Sequence, residues 1–412
     1  MLRLAPAGAP ARARRFGLCA ALCWSLLSCG GGSSTLAPVV STPTATNVAG
    51  IVVDAGPTST SPDVNTLFTT VTVCVPGSTT SCQTIDHIQV DTASYGLRIL
   101  APVLTLSLPL QTTANGASLL ECVQFVDGYS WGPVASADVQ ISGESASSVP
   151  VQVIGDANFT SVPADCSSIG PAEDTVAAFG ANGILGIGVF AQDCGSSCVS
   201  TAVPATYYAC ASTLCQATAV LLASQVQNPV TLFAKDNNGV VIQLPSVAAQ
   251  GAASVAGSLI FGIDTQTNNK SGSQSVLTVD PNFGYFTTVF NSQSLAKSFL
   301  DTGSNALFFN DTGLTPCTGT SFAKFYCPAS PQGLSAVLQG QNAVSATVNF
   351  TVGDAETLGA NDPSLVAFTT LAGTYPTPDT FDWGLPFYYG RTVYTAVENA
   401  ATAVGTGPYV AF

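Results

Sequence analysis

The sequence predicts an all-β protein of two similar lobes. Three observations carry this. From Val52 onward, short runs rich in Val, Ile, Thr and Phe alternate with Gly, Pro, Asn and Asp. A ten-residue pattern occurs twice, at 88–97 and again at 298–307. With 46% hydrophobic and only 8% charged residues, the 412-residue chain can bury a large core, and it lacks the composition of a disordered one.

The strands are read from "TTVTVCV" (69–75), "TIDHIQV" (84–90), "SADVQIS" (136–142), "NAVSATVNFTV" (342–352) and "RTVYTAV" (391–397). Long amphipathic helices are few. Only "TYYACASTLCQATAVLLASQV" (206–226) is expected to be partly helical. The length suits two or three domains, or two lobes. No solenoid period is present.

Arg12, Arg14 and Arg15 precede an apolar segment, 16–27, that is short for a membrane span. The stretch Leu26-Leu27-Ser28-Cys29 resembles a bacterial lipobox. That resemblance implies a lipoprotein signal peptide over 1–28, lipidation at Cys29 and a Gly/Ser/Thr/Pro tether over 29–50. Gly30 stands where Asp would follow the cysteine, which in the enterobacterial pattern implies outer-membrane sorting. The expected location is the bacterial cell envelope, lipid-anchored at the outer membrane. An ordinary signal peptide with an incidental cysteine is the alternative.

Beyond Cys29 lie ten cysteines, an even number suited to disulfides in an exported chain. Cys74/Cys82, Cys210/Cys215 and Cys317/Cys327 are close enough to staple local loops. A zinc site is the competing reading, but His87 is the lone histidine and the compartment is oxidising. Net charge is -14, and only six Lys and Arg follow residue 15. These cannot form a basic face, so no nucleic-acid partner is expected.

The repeated pattern carries the chemistry. "IQVDTASYGL" (88–97) aligns without a gap on "SFLDTGSNAL" (298–307). Asp91 matches Asp301, Thr92 matches Thr302, and Ser94 matches Ser304. A lone carboxylate between two hydrophobic strands is costly to bury. Two such turns give each aspartate a partner. For one copy alone, an Asp capping its own turn would be the better reading.

The paired turns and the segments after them resemble the pepsin-like aspartic protease family. "ANGILGIG" (181–188) comes after the first turn, and "FDWGLPFYYGRTVYTAV" (381–397) after the second, like the family's later glycine elements. "GSLIFGIDTQ" (257–266) looks like the strand that opens the family's second lobe, and "FVDGYSWGPVASADVQISG" (125–143) sits where its flap hairpin should be. The order covers most of 65–412. The chain also looks like a family of proteobacterial lipoproteins built on this plan.

The resemblance implies a bilobal fold, with lobes over 51–255 and 256–412, a cleft between them and a flap. It implies an Asp91/Asp301 dyad that shares one proton and activates a water. Thr92 and Thr302 would grip across the lobe interface. Ser94 and Ser304 would bond the outer carboxylate oxygens. Gly303 completes the second turn, and Gly183 and Gly384 would let backbone pass behind the dyad. Phe125, Gly128, Tyr129, Trp131 and Gly132 would form the flap and touch substrate. The reaction needs no cofactor, metal or covalent intermediate. The expected partner is a peptide or protein substrate, and the chain is expected to be a monomer.

The chain departs from the family at three places. Ala93 replaces the first glycine, Phe125 the flap tyrosine, and Arg98 the tryptophan after the first turn. Tyr129 or Trp131 is a candidate to take over the flap role, and Arg98 beside a dyad would favour ionised carboxylates. By strand alternation His87 shares a face with Asp91. No Gly-x-Ser-x-Gly elbow accompanies it, so a structural histidine is expected rather than a triad. The leading functional expectation is an extracytoplasmic aspartic endopeptidase. The alternatives are a silent module that binds peptide, glycan or protein in the cleft, and a structural surface lipoprotein.

Overall fold

A computed structural model describes residues 45–57, 63–211, 214–319 and 322–412. The expected signal peptide, Cys29 and most of the tether lie outside these residues. The first half contains β1 (Val48–Val53), β2 (Leu67–Cys74), β3 (Cys82–Asp91), β4 (Tyr95–Leu100), β5 (Ser118–Gln124), β6 (Tyr129–Ile141), β7 (Glu144–Ile154), β8 (Gly183–Ile187), β9 (Tyr207–Ala211), β10 (Leu214–Ala217), β11 (Gly239–Gln243) and β12 (Val255–Phe261). The second contains β13 (Val276–Thr278), β14 (Phe286–Phe290), β15 (Gln293–Leu300), β16 (Leu307–Phe308), β17 (Gln332–Gln339), β18 (Ser345–Val352), β19 (Ala372–Gly373), β20 (Asp382–Trp383), β21 (Thr392–Ala396), β22 (Ala401–Thr402), β23 (Gly405–Thr406) and β24 (Tyr409–Ala411). The chain is all-β, as its composition predicts.

Fifteen strands form one sheet in the order β10-β9-β5-β6-β7-β4-β8-β3-β2-β1-β12-β11-β21-β24-β13. A further β2–β6 pairing closes β2, β3, β8, β4, β7 and β6 into a ring. Seven strands make a second sheet, β18-β17-β14-β15-β20-β16-β19. The larger sheet draws on both halves of the sequence, because β1 pairs with β12 and β11 with β21. The expected tether ends early, since Val48, Ala49 and Gly50 already pair with β12.

The two motifs take the same local topology. β3 runs parallel to β8, and β4 antiparallel to it. β15 runs parallel to β20, and β16 antiparallel to it. Apolar side chains hold each unit. In the first, Ile88, Val90, Leu97, Ile99 and Leu185 are fully buried. In the second, the Phe381 ring stacks between Phe309 (centroids 4.5 Å apart) and Trp383 (4.0 Å).

No described residue of segment 206–226 lies in an α-helix. β9 and β10 form a hairpin stapled by Cys210–Cys215, and only 222–224 makes a single 3₁₀ turn. A short loop and a disulfide outweigh helix propensity there. The three local disulfides form as expected, together with Cys122–Cys166 and Cys194–Cys198. All ten cysteines beyond Cys29 are thus used, leaving none as thiolate for zinc. Five disulfides are the chemistry of a protein outside the reducing cytoplasm. Among the described residues no helix is long and apolar enough to cross a membrane.

Candidate active site

Each aspartate sits where a strand runs into a tight turn. Asp91 ends β3, opposite Gly186 of β8. Asp301 follows β15, its N–H donating to Trp383 O at 3.1 Å. The turns then wrap each carboxylate alike. Ala93 N–H donates to Asp91 Oδ1 at 2.7 Å, and Gly303 N–H to Asp301 Oδ1 at 2.7 Å. Ser94 Oγ donates to Asp91 Oδ2 at 2.8 Å, and Ser304 Oγ lies 2.8 Å from Asp301 Oδ2. Ser94 N–H adds a 3.1 Å bond to Asp91 Oδ1.

The threonines cross between the two turns. Thr92 N–H donates to Thr302 Oγ1 at 3.2 Å, and Thr302 N–H to Thr92 Oγ1 at 3.1 Å. Each hydroxyl also reaches a carbonyl of the opposite strand: Thr92 to Leu300 O at 3.2 Å, Thr302 to Val90 O at 2.7 Å. These four bonds bring the aspartates together. A Cβ on Gly303 would lie 2.9 Å from both Asp91 Oδ2 and Asp301 Oδ1, so the carboxylates face each other across the space a methyl would fill. Both are buried. Burial, then Asp91 and then Asp382 beside it, push the Asp301 carboxyl well above the usual carboxylate range.

The substitution at residue 93 leaves this cradle intact, because the turn uses the backbone N–H of Ala93 and not the missing hydrogen of a glycine. The glycine behind Asp91 is Gly186 rather than Gly183. Gly183 pairs three residues earlier, with Ile88. A Cβ on Gly186 would overlap Tyr95 N, and one on Gly384 would overlap Ala306 O.

A cleft of about 750 Å³ opens over the dyad. The β5–β6 hairpin reaches it through its tip, where Phe125 N–H donates to Gly128 O at 2.8 Å and closes the turn. Phe125 lines the cleft and packs edge-on against Phe179. Gly128 is confined, since a Cβ there would lie 2.6 Å from Pro171 O. Tyr129 and Trp131 do not face the cleft. Trp131 is buried, donates Nε1–H to Phe159 O at 2.8 Å and packs on Tyr208, while Tyr129 joins the same cluster. Gly132 lies against Val153 O of β7 and does not line the cleft. The strand pleat sends these side chains to the other face of the hairpin.

Arg98 does not reach the dyad. Its guanidinium is buried and donates to Glu121 Oε1 at 2.6 Å, Asp193 Oδ2 at 3.2 Å and Tyr95 O at 2.7 Å. Tyr207 also donates to Asp193, at 2.7 Å. Burial first, and the neighbouring Glu121 second, push the Asp193 carboxyl well up. His87 lies 3.4 Å from both Asp54 Oδ1 and Asp86 Oδ2 and packs on Phe68. A bulge in the β2–β3 pairing, with His87 at φ 46°, breaks the alternation that put it on the face of Asp91.

Several neighbours of the dyad carry no motif signal. Gln89 Nε2–H donates to Gly303 O at 3.1 Å, a fifth bond between the two turns. Tyr388 OH lies 2.9 Å from Thr92 Oγ1. Tyr95 lines the cleft against Phe190, and burial with nearby Asp91 raises its phenol far above its usual range. Asp382 is a third buried carboxyl, 2.6 Å from Ser304 Oγ. Its visible signal was an acid inside "FDWG", where the first unit has Ile184 inside "GILG".

The family model described as "Protein of unknown function (DUF3443)" matches residues 43–412, and the chain belongs to that family. No curated protein matches it.

Proposed function

We propose that this protein is an aspartic endopeptidase of pepsin-like, bilobal build that works outside the cytoplasm. The observation that carries the reading is the matched pair of turns. Two buried carboxylates face each other, each with one backbone N–H and one serine hydroxyl in equivalent places. Like charges this close do not both ionise, so one proton is shared.

Asp301, pushed upward, holds that proton. Asp91 Oδ1 receives a second backbone N–H, from Ser94, whereas the Ser304 N–H turns to the Asp301 carbonyl. Asp91 therefore acts as general base on a water, and Asp301 donates to the scissile carbonyl. The Thr92–Thr302 bonds keep the two turns in register. Phe125 and Val126 close over the substrate from the hairpin tip. The lobes are taken as 51–255 and 256–412, the substrate as a peptide or protein segment, and the chain as a monomer tethered through Cys29 to the outer membrane.

A second reading has one observation in its favour. The Ala93 methyl stands in the cleft wall where the family has none. In that reading the cleft binds a peptide, glycan or protein without cleaving it.

A peptide with a hydroxymethylene group in place of one amide separates the two. It should raise the melting temperature of the wild type, and Asp301→Asn should weaken its binding by about 100-fold or more, because the dyad recognises the tetrahedral centre. A plain peptide of the same side chains should bind far less tightly. Equal binding of both ligands, indifferent to Asp301→Asn, would leave only the binding module.

A further inference from the structure

Ser304 stands between two carboxyls. Its Oγ lies 2.8 Å from Asp301 Oδ2 and 2.6 Å from Asp382 Oδ2. A serine hydroxyl carries one hydrogen, and an ionised carboxylate carries none. Two oxygen–oxygen contacts this short need two hydrogens. The second hydrogen must come from one of the carboxyls.

Its place is settled by the surroundings. Asp382 Oδ1 is buried with no hydrogen-bond partner among the described residues. An ionised carboxylate there would leave its charge uncompensated, whereas a neutral acid loses far less. Asp382 sits in β20 between Phe381 and Trp383, whose rings stack on each other. The equivalent position in the first unit shows what the fold itself requires. Asp382 lies opposite Phe308 and Phe299, and Ile184 lies opposite Arg98 and Gln89 in the matching places. Ile184 is fully buried, so the site needs an apolar or neutral group and has no structural need of an acid. Ser94, the counterpart of Ser304, accordingly has one carboxylate to serve.

We propose that Asp382 is a third, proton-bearing carboxyl of the site, whose O–H donates to Ser304 Oγ and thereby commits the Ser304 hydroxyl to the outer oxygen of Asp301. This rests on the peptidase reading above, in which Asp301 is the acid of the dyad. Asp382 is a positioning residue, since it acts through Ser304. Loss of its proton reverses the chain: the Ser304 hydrogen turns to the new Asp382 carboxylate, and Asp301 loses a donor. Besides burial, the Ser304 hydrogen bond lowers the Asp382 carboxyl and Asp91 raises it; Asp382 in turn raises Asp301, and the phenols of Tyr388 and Tyr375 are held neutral beside it. Burial pushes the Asp382 carboxyl up to about 7, so the reversal falls near neutral pH.

The direction of one shift tests this. If only the form with protonated Asp382 is active, Asp382→Asn removes one route to inactivation, because the amide still donates to Ser304 and cannot ionise. The alkaline limb of kcat/KM should then move to higher pH. If Asp382 acted by charge alone, its carboxylate would help the dyad keep its proton, and neutralising it would move the limb to lower pH. A downward shift, or none, overturns the proposal. In a Ser304→Ala background the upward shift from Asp382→Asn should vanish; its persistence would also overturn it.

A second readout needs no cleavage. Infrared difference spectra between about pH 5 and about pH 9 should show a protonated-carboxyl C=O band that is lost as pH rises. Asp301 contributes to such a band as well, so the part that belongs to Asp382 should be absent from Asp382→Asn and retained in Asp301→Asn. A band unchanged by Asp382→Asn would sink the proton on Asp382 and leave the peptidase reading standing. A band that Asp382→Asn diminishes, in a protein that cleaves nothing, would support that proton and sink the peptidase reading instead.

Discussion

Asp301→Asn is expected to abolish peptide cleavage and to make the protein more stable at neutral pH. The first effect comes from losing the group that protonates the scissile carbonyl, a loss on the order of 10³-fold or more. The second comes from linkage. The carboxyl of Asp301 is raised in the folded state by burial and by Asp91. Folding therefore favours its protonated form. The associated stability is fully present below the unfolded value, near 4, and is lost as pH rises through the folded value. The wild type gives up stability over this window, and an asparagine gives up none of it. Thermal melts at about pH 4 and about pH 7.5 read the difference. The wild type should lose more melting temperature than the variant between the two. An equal loss would mean that Asp301 does not hold a proton.

Arg98→Met should be the most damaging single change away from the dyad. Arg98 is a buried cation with Glu121 and Asp193 as its acceptors. Removing it leaves the Glu121 carboxylate buried without its cation, beside an Asp193 carboxyl already pushed up, a cost of about 3–5 kcal/mol. Glu121→Gln in the same chain should recover part of that loss, because it removes the stranded charge. Denaturant unfolding of the single and double variants measures this. A wild-type midpoint for Arg98→Met would show that the network contributes nothing. The same network lies under the cleft wall, since Asp193 lines the cleft and Arg98 holds Tyr95 O. Loss of Arg98 should therefore also disorder the approach to Asp91.

The all-β character and the paired turns were legible because both are local. A strand shows its period over five or six residues, and an Asp-Thr-x-Ser turn binds its own carboxylate. Three of the four short-range disulfides were legible for the same reason; Cys194–Cys198, four residues apart, escaped although it is local. The other features that escaped depend on contacts distant in sequence. Cys122–Cys166 spans 44 residues and joins the β5–β6 hairpin to a 3₁₀ turn. Gly186 was mistaken for Gly183 because only the β3–β8 register says which glycine lies behind Asp91. The flap role is read onto Tyr129 or Trp131, but the pleat turns them away. Arg98 is read beside the dyad because it aligns with the tryptophan after the first turn, and β4 carries it to Glu121. Asp382 escaped since its meaning lies in a single neighbour, Ser304, 78 residues upstream.

Whether the dyad cuts peptides is the most direct question to put to the protein. A chain beginning after Cys29 would be incubated with a diverse peptide mixture from about pH 3 to about pH 7, where a carboxylate pair can share one proton, and the products read by mass spectrometry beside Asp301→Asn. Cuts in acid that disappear in the variant are the predicted result. No cuts at any pH, or the same cuts in both proteins, would contradict it.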